Sequence, residues 1–202
     1  MAPSALFAYD GSGFGEEPPM GYWPAPTILI LAVALSAGAL NPDALYAAAA
    51  ADKPAGIDAI SAYEGTWDVN IEHLDTAHSK ASREHTSLRN DCWKSGGYFA
   101  CNQYVDGESK VLLVFVYNQG KNEYTSYQIP PGGGEPGSGK LLIDGNVWTF
   151  PWQTKEGETT TYFHVVNVFT GPDRIEFRQE FSPDDVHWTV MAKGTETRTR
   201  PK

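Results

Sequence analysis

The segment Asn90-Asp-Cys-Trp-Lys-Ser-Gly-Gly-Tyr-Phe-Ala-Cys-Asn102 predicts a β-hairpin that turns at Gly96 and Gly97. A two-residue turn of this kind joins neighbouring antiparallel strands. Counting outward from the turn places Cys92 opposite Cys101, at a non-hydrogen-bonded position where the two Cα atoms are closest. The sequence therefore predicts a Cys92–Cys101 disulfide. A structural role is favoured over a redox role, because the spacing does not match the CxxC pattern of redox-active pairs.

On both sides of this hairpin the chain repeats short runs rich in Val, Ile, Thr, Tyr, Phe and Trp, separated by Gly, Asn, Asp and Pro. Runs of this composition predict strands, and the residues between them predict tight turns. The one helix that we expect covers residues 56–63, just before the first strand. Ten strands are predicted, over residues 66–74, 80–93, 98–105, 110–118, 123–130, 140–144, 146–154, 159–170, 174–182 and 187–197.

Short connections between successive strands predict an all-β, up-and-down antiparallel fold that closes into a barrel or packs as a sandwich. In the segment Arg174-Ile-Glu-Phe-Arg-Gln-Glu-Phe181, apolar and charged side chains alternate, so one face of this strand is buried. The segment Val111-Leu-Leu-Val-Phe-Val-Tyr117 is apolar on both faces. A homodimer interface, a leader segment packed on the outside, or an ordinary thick core would each explain that second pattern.

The N-terminal part of the chain resembles a secretory leader. Residues 27–40 form an apolar segment too short to cross a bilayer as a helix, and the small residues from Ala47 to Ala51 offer signal-peptidase sites. No Lys or Arg precedes Lys53, so the usual positive region is missing unless the true start is Met20. We expect a leader over residues 1–52 and a barrel domain over residues 53–202. The alternatives are an uncleaved N-terminal anchor and a disordered leader rich in Ala, Pro and Gly.

A cleaved leader predicts a periplasmic or secreted protein with no stable membrane anchor. The chain of 202 residues has 25 acidic and 15 basic residues, a formal charge of -10. This balance argues against a nucleic-acid partner, because phosphate binding needs clustered Lys and Arg.

The segment Ile60-Ser-Ala-Tyr-Glu-Gly-Thr-Trp67, a short helix followed by Gly-x-Trp, resembles the start of lipocalin-like (calycin) barrels. Together with a closing strand that ends at Arg198, the pattern over residues 56–200 is similar to bacterial lipocalin-like domains of unknown function. The resemblance implies that Trp67 plugs the closed end of the barrel, with Arg198 near it. It also implies a cavity for a small hydrophobic or amphipathic molecule, and it does not imply a reaction.

The candidate cavity walls are the aromatic and histidine side chains of alternating strands. Trp148, Phe150 and Trp152 share one face of a single strand and present an unusual amount of flat, rigid surface. Filling of the core and contact with a ligand are equally compatible with the pattern. The full set of candidates is Tyr104, Phe115, Tyr117, Tyr124, Trp148, Phe150, Trp152, Tyr162, His164, Phe177 and Trp188.

Two alternatives to simple binding involve His164, which lies in mid-strand on the same face as Tyr162. It could ligate haem, as in the related nitrobindin barrels, or act with tyrosines as an acid–base pair. No cofactor and no metal site is predicted, because the histidines lack ligand spacing. Binding predicts a dry cavity with few ionisable groups, whereas catalysis predicts at least two convergent polar groups, one with a perturbed pKa.

The glycine-rich segment from Pro130 to Lys140 looks like a phosphate-binding loop but lacks the Ser or Thr and the helix that such a loop requires. We expect a flexible loop at the mouth of the barrel instead.

Overall fold

The structure is a computed structural model that describes residues 56–199. It confirms an all-β fold with one short helix before the strands, and the strands form one closed antiparallel barrel. The predicted leader over residues 1–52 lies outside the described residues. Within residues 56–199, no helix is both long and apolar enough to cross a membrane.

The ten strands follow one another around the barrel, and the first strand pairs with the last. The short helix is a 3-10 helix, which is tighter than an α-helix and is used in short pieces. The elements are the 3-10 helix Ile57–Tyr63 and strands β1 Gly65–His73, β2 Ser82–Ser95, β3 Tyr98–Val105, β4 Glu108–Asn118, β5 Glu123–Ile129, β6 Gly137–Asp144, β7 Val147–Glu156, β8 Thr159–Gly171, β9 Arg174–Ser182 and β10 Thr189–Thr199.

The hairpin of β2 and β3 has the predicted register. Cys92 pairs with Cys101, the Cα atoms are 4.0 Å apart, and the two residues form a disulfide. Gly96 has a φ of 57°, in the left-handed region that the first position of a primed hairpin turn requires. The turn and the disulfide together fix the alignment of these two strands.

One end of the barrel is closed by the 3-10 helix, and we call it the closed end. Trp67 is fully buried there and its indole N–H donates to the Tyr63 carbonyl at 3.1 Å. The Arg198 guanidinium lies 4.1 Å from the centre of the Trp67 ring and donates to the carbonyls of Ala62 and Glu64. The last strand therefore holds the helix against the first strand.

Strands β9, β10 and β1 approach each other closely at Gly194. A Cβ atom on Gly194 would overlap the Asn70 carbonyl oxygen and the Phe177 ring. Glycine is required at this position because Phe177 packs directly on the backbone of β10. A β-bulge between Val190 and Ala192 lies nearby in the same strand.

One connection is shorter than expected. The glycine-rich loop ends before Gly137, because Gly137 and Gly139 already pair with Gln128 and Ser126 of β5. The expectation of a loop reaching Lys140 was wrong, since backbone pairing needs no side chains and the composition alone suggested flexibility.

Replacing both Cys92 and Cys101 by Ser should lower the free energy of unfolding by about 2–3 kcal/mol, because the bridge closes only a short loop. Urea denaturation followed by circular dichroism measures this loss. Reduction of the wild-type chain should give the same loss. Equal stability of the oxidised, reduced and substituted chains would contradict the prediction.

We expect Arg198→Lys to lower the free energy of unfolding by about 1–3 kcal/mol. The reason is that an ammonium cannot reproduce the planar guanidinium that donates to the carbonyls of Ala62 and Glu64. The matched control is Arg174→Lys on β9, where the side chain is half exposed. That control should change stability by less than about 0.5 kcal/mol. Equal effects of the two substitutions in urea denaturation would refute the role given to Arg198.

Candidate functional site

The interior of the barrel is lined by a mixture of aromatic and aliphatic side chains. Because side chains alternate along a strand, the pairing register decides which residues point inward. Trp148 and Phe115 are among the largest fully buried side chains. Seven of the predicted wall residues belong to the interior or pack against it: Phe115, Tyr117, Tyr124, Trp148, Phe150, Trp152 and Phe177.

Two of these seven serve the closed end. The rings of Tyr117 and Tyr124 lie 4.6 Å apart. The Tyr124 hydroxyl donates to the Gly56 carbonyl at 2.8 Å, at the start of the 3-10 helix. The Tyr124 hydroxyl therefore holds the start of the helix, whereas the Tyr117 hydroxyl donates to the Asn122 side chain at 2.8 Å.

The other predicted wall residues, Tyr104, Tyr162, His164 and Trp188, do not line the interior. Tyr104 follows the inward Gln103 and lies under the Arg89 guanidinium at 4.2 Å, on the outside of the barrel. Tyr162 and His164 alternate with inward Phe163 and Val165, and Trp188 stacks on His164. The expected inward placement is corrected here, because the alternation of β3 and β8 has the opposite phase and Trp188 lies in the connection before β10.

His164 forms part of a polar cluster on the outer surface. Its Nε2 atom lies 2.6 Å from a carboxylate oxygen of Glu180, which also pairs with Arg178 at 2.9 Å. Burial alone would raise the pKa of Glu180, but the hydrogen bonds from His164 and Arg178 outweigh it and hold that pKa below its ordinary value. The His164 ring is therefore turned away from the interior, and it does not fit a haem or an acid–base pair inside the barrel.

Three polar side chains meet in the interior above the helix, and we call Tyr63, Asn167 and Glu196 the interior floor. The Tyr63 ring lies 4.9 Å from the Trp148 ring, and its hydroxyl accepts a hydrogen bond from the Asn167 amide. Glu196 is close enough for its charge to act on the Tyr63 phenol. The largely apolar interior therefore ends on a carboxyl, an amide and a phenol.

Two oxygen atoms of the interior floor have no hydrogen-bond partner among residues 56–199, namely Glu196 Oε2 and Asn167 Oδ1. Glu196 is 1% exposed. Burial raises the pKa of Glu196 to about 8, so its carboxyl group is mostly neutral at pH 7. Burial, followed by the charge of Glu196, raises the pKa of Tyr63 well above its ordinary value.

A short hydrogen-bonded chain supports the interior floor from one side. Gln103 donates to the Asn90 side chain at 3.2 Å, and Asn90 donates to the Tyr63 carbonyl at 3.1 Å. These bonds fix the backbone that carries the Tyr63 phenol. Buried polar groups normally have such partners, so the two unpaired oxygen atoms are exceptional.

The opposite end of the interior lies under residues 74–81, which we call the mouth loop. The His78 ring meets the rings of Phe163 and Phe181 at 5.3 and 4.4 Å. Trp152 stacks on Phe163 at 5.4 Å with an interplanar angle of 10°. The interior thus has aromatic side chains at the mouth and polar groups at the floor.

Two further surface features lie outside the barrel. A groove of about 790 Å³ runs over β8, β9, β10, β1 and β2, and its wall residue Glu72 is already paired with Arg83 and Lys193. Exposed Trp93, Tyr98, Val116 and Tyr127 lie on β2 to β5. The homodimer expected from the segment at 111–117 stays a prediction.

Sequence reasoning missed the interior floor. Asn167 interrupts an apolar run between Val166 and Val168, and that interruption was a readable signal. Glu196 lies between Thr195 and Thr197, so nothing in the alternation of that strand marked it as buried. In residues 56–199, no group of three His, Cys, Asp or Glu side chains is arranged to hold a metal ion.

No model of a known protein family and no curated protein matches this chain. Among solved structures, the one described as "Structure of EF1p2_mFAP2b bound to DFHBI" is similar, with a TM-score of 0.32 and 9% identity. The match covers 69% of this chain and 96% of that chain. Similarity at this level carries no argument about this chain.

The pKa of Glu196 predicts how stability depends on pH. In the unfolded chain this carboxyl should titrate near a pH of about 4.3, whereas in the folded chain its pKa is raised to about 8. Between these values the folded state holds one more proton than the unfolded state. Its contribution is therefore fully present below the lower pKa and is lost as pH rises, by about 1.4 kcal/mol per pH unit.

Urea denaturation at pH values between 5 and 8 tests this slope by comparing wild-type protein with Glu196→Gln. The variant should lack this part of the decline. Identical slopes for the two proteins would contradict a buried, protonated Glu196.

Proposed function

We propose that this chain is an exported, lipocalin-like protein that binds a small hydrophobic or amphipathic molecule inside its barrel. One observation carries the proposal: an apolar interior with two buried oxygen atoms that lack partners within residues 56–199. Binding sites for small molecules have this composition, with mostly apolar walls and a few placed polar groups. The apolar walls would supply affinity and the interior floor would orient the ligand.

Two features support the lipocalin-like part of the proposal. The Gly65-Thr-Trp67 segment opens β1 directly after the helix, and Trp67 packs under the Arg198 guanidinium at the closed end. The Cys92–Cys101 disulfide supports export, because such bonds persist in oxidising compartments. Periplasmic or secreted location remains part of the proposal.

A second candidate function is acid–base catalysis at the interior floor rather than at His164. Tyr63 and Glu196 converge there, and burial raises the pKa of both. Convergent groups with a perturbed pKa meet the criterion for catalysis stated above. Binding is favoured, because the raised pKa of Tyr63 makes its phenol a poor base at neutral pH.

Binding predicts that Trp152→Ala weakens the affinity for an apolar fluorescent probe such as N-phenyl-1-naphthylamine by about tenfold, since a large apolar contact is lost. Titration monitored by the fluorescence of the probe gives the dissociation constants. The matched control is Trp93→Ala on the outer surface, where the side chain is 42% exposed. That variant should bind the probe as the wild type does.

Equal effects of the two tryptophan substitutions on probe affinity would contradict a probe site inside the barrel. Loss of stability with unchanged probe affinity in Trp152→Ala would make Trp152 a core residue only. Native mass spectrometry of the purified full chain separates the two candidate functions. A retained small molecule supports binding, whereas an empty chain favours an enzyme that releases its product.

A further inference from the structure

The two unpaired oxygen atoms of the interior floor restrict the kind of ligand that can bind there. The Asn167 amide nitrogen already donates to the Tyr63 hydroxyl, so the amide oxygen is left to accept. Glu196 Oε2 lacks a partner among the described residues, and an ionised carboxylate only accepts hydrogen bonds. Once Glu196 is ionised, a molecule resting on the interior floor would therefore need to supply donors to both oxygen atoms, whereas the neutral carboxyl keeps one proton that it can donate.

Ionisation of Glu196 would make the same demand. Buried charges are stable only when they are paired, and burial is the cause of the raised pKa of this carboxyl, with no cation offsetting it. Arg198 lies on the same face of β10 as Glu196, but its guanidinium is engaged with Trp67 and the carbonyls of Ala62 and Glu64. Arg198 is therefore not a counter-ion for Glu196.

Within residues 56–199, the other groups around Glu196 carry no positive charge. A cation that pairs with the Glu196 carboxylate would therefore come from the head group of a ligand. Tyr63 is the titratable group that faces Glu196 from the helix, and it is a neutral phenol. The cross-strand neighbours on β1 and β9 are Val69 and Ile175. On β8, the interior floor contributes the neutral amide of Asn167.

We propose that the interior site, which rests on the binding function proposed above, takes an amphipathic molecule with a primary ammonium head and an apolar body. The ammonium donates to Glu196 Oε2 and Asn167 Oδ1, and its charge pairs with the Glu196 carboxylate. The apolar body lies along the aromatic wall that contains Phe150 and Trp152. On binding at neutral pH, the O–H bond of the Glu196 carboxyl breaks, its proton leaves to solvent, and no other covalent bond changes.

Other head groups fit less well. A fatty-acid carboxylate has no donor and would face an acid that it repels once both are ionised. An alcohol has one donor and no charge, so it can satisfy one oxygen atom only. An ammonium has three donors and the missing charge.

The test compares decylamine, decanol and decanoate, which share one apolar chain and differ in the head group. Isothermal titration calorimetry of the full chain at pH 8 should give an affinity for decylamine roughly tenfold above that for decanol, since a charge-assisted hydrogen bond is stronger than a neutral one. Decanoate should bind most weakly. Glu196→Gln should bind decylamine no better than decanol, whereas the matched outer-surface control Glu176→Gln should keep the wild-type preference.

A second measurement uses only the wild-type chain and therefore tests the inference even if Glu196→Gln fails to fold. In the wild-type chain, the association constant of decylamine should rise about tenfold per pH unit between pH values of about 6 and 8, because binding displaces one proton. The constant should then level off until the amine itself deprotonates near a pH of about 10. The association constant of decanol should show no such rise.

Two results would overturn the inference while leaving the proposed binding function intact. One is equal affinity for decylamine and decanol at every pH, and the other is a preference for decanoate. Failure of all three compounds to bind, together with failure of N-phenyl-1-naphthylamine, would overturn the proposed function itself and the inference with it.

Discussion

The pairing of β1 with β10 is the interaction on which the rest of the structure depends. It joins the first and last strands from Thr66 opposite Thr199 to His73 opposite Ala192. Without this pairing the sheet would have two open edges and no enclosed interior. Trp67 and Arg198 lie opposite each other in this register, so the contact that closes the sheet also holds the helix in the closed end.

Closure also explains how a carboxyl group comes to be buried. Glu196 lies two residues before Arg198 and points into the interior between Val69 and Ile175. Arg198 has carbonyl and aromatic partners at the rim, whereas Glu196 has only the interior around it. Proteins that break the rule of paired buried groups usually do so at functional sites, which is why the interior floor carries the functional argument.

The strands and the disulfide were predictable because they depend on local signals. Turn residues mark the strand ends, and the position of Gly96 and Gly97 fixes the pairing of Cys92 with Cys101. The phase of β8 was not predictable, because its run of Val and Phe is apolar on both faces. His164 was therefore expected inside the barrel, whereas its pairing with Glu180 lies outside.

The interior floor was beyond sequence reasoning for a different reason. Tyr63 belongs to the helix, Asn167 to β8 and Glu196 to β10, and only barrel closure brings them together. Local patterns carry no information on such distant contacts. The aromatic residues of the wall could be predicted from the sequence, but the polar end of the interior could be found only from the tertiary structure.

The central claim is that the interior, and not the outer surface, holds the ligand. Nuclear magnetic resonance of the tryptophan indole N–H groups, assigned by single Trp→Phe substitutions, tests it most directly. On addition of decanol, the signals of Trp148 and Trp152 should shift, while those of Trp93 and Trp188 on the outside should stay in place. Shifts confined to Trp93 or Trp188 would contradict the account.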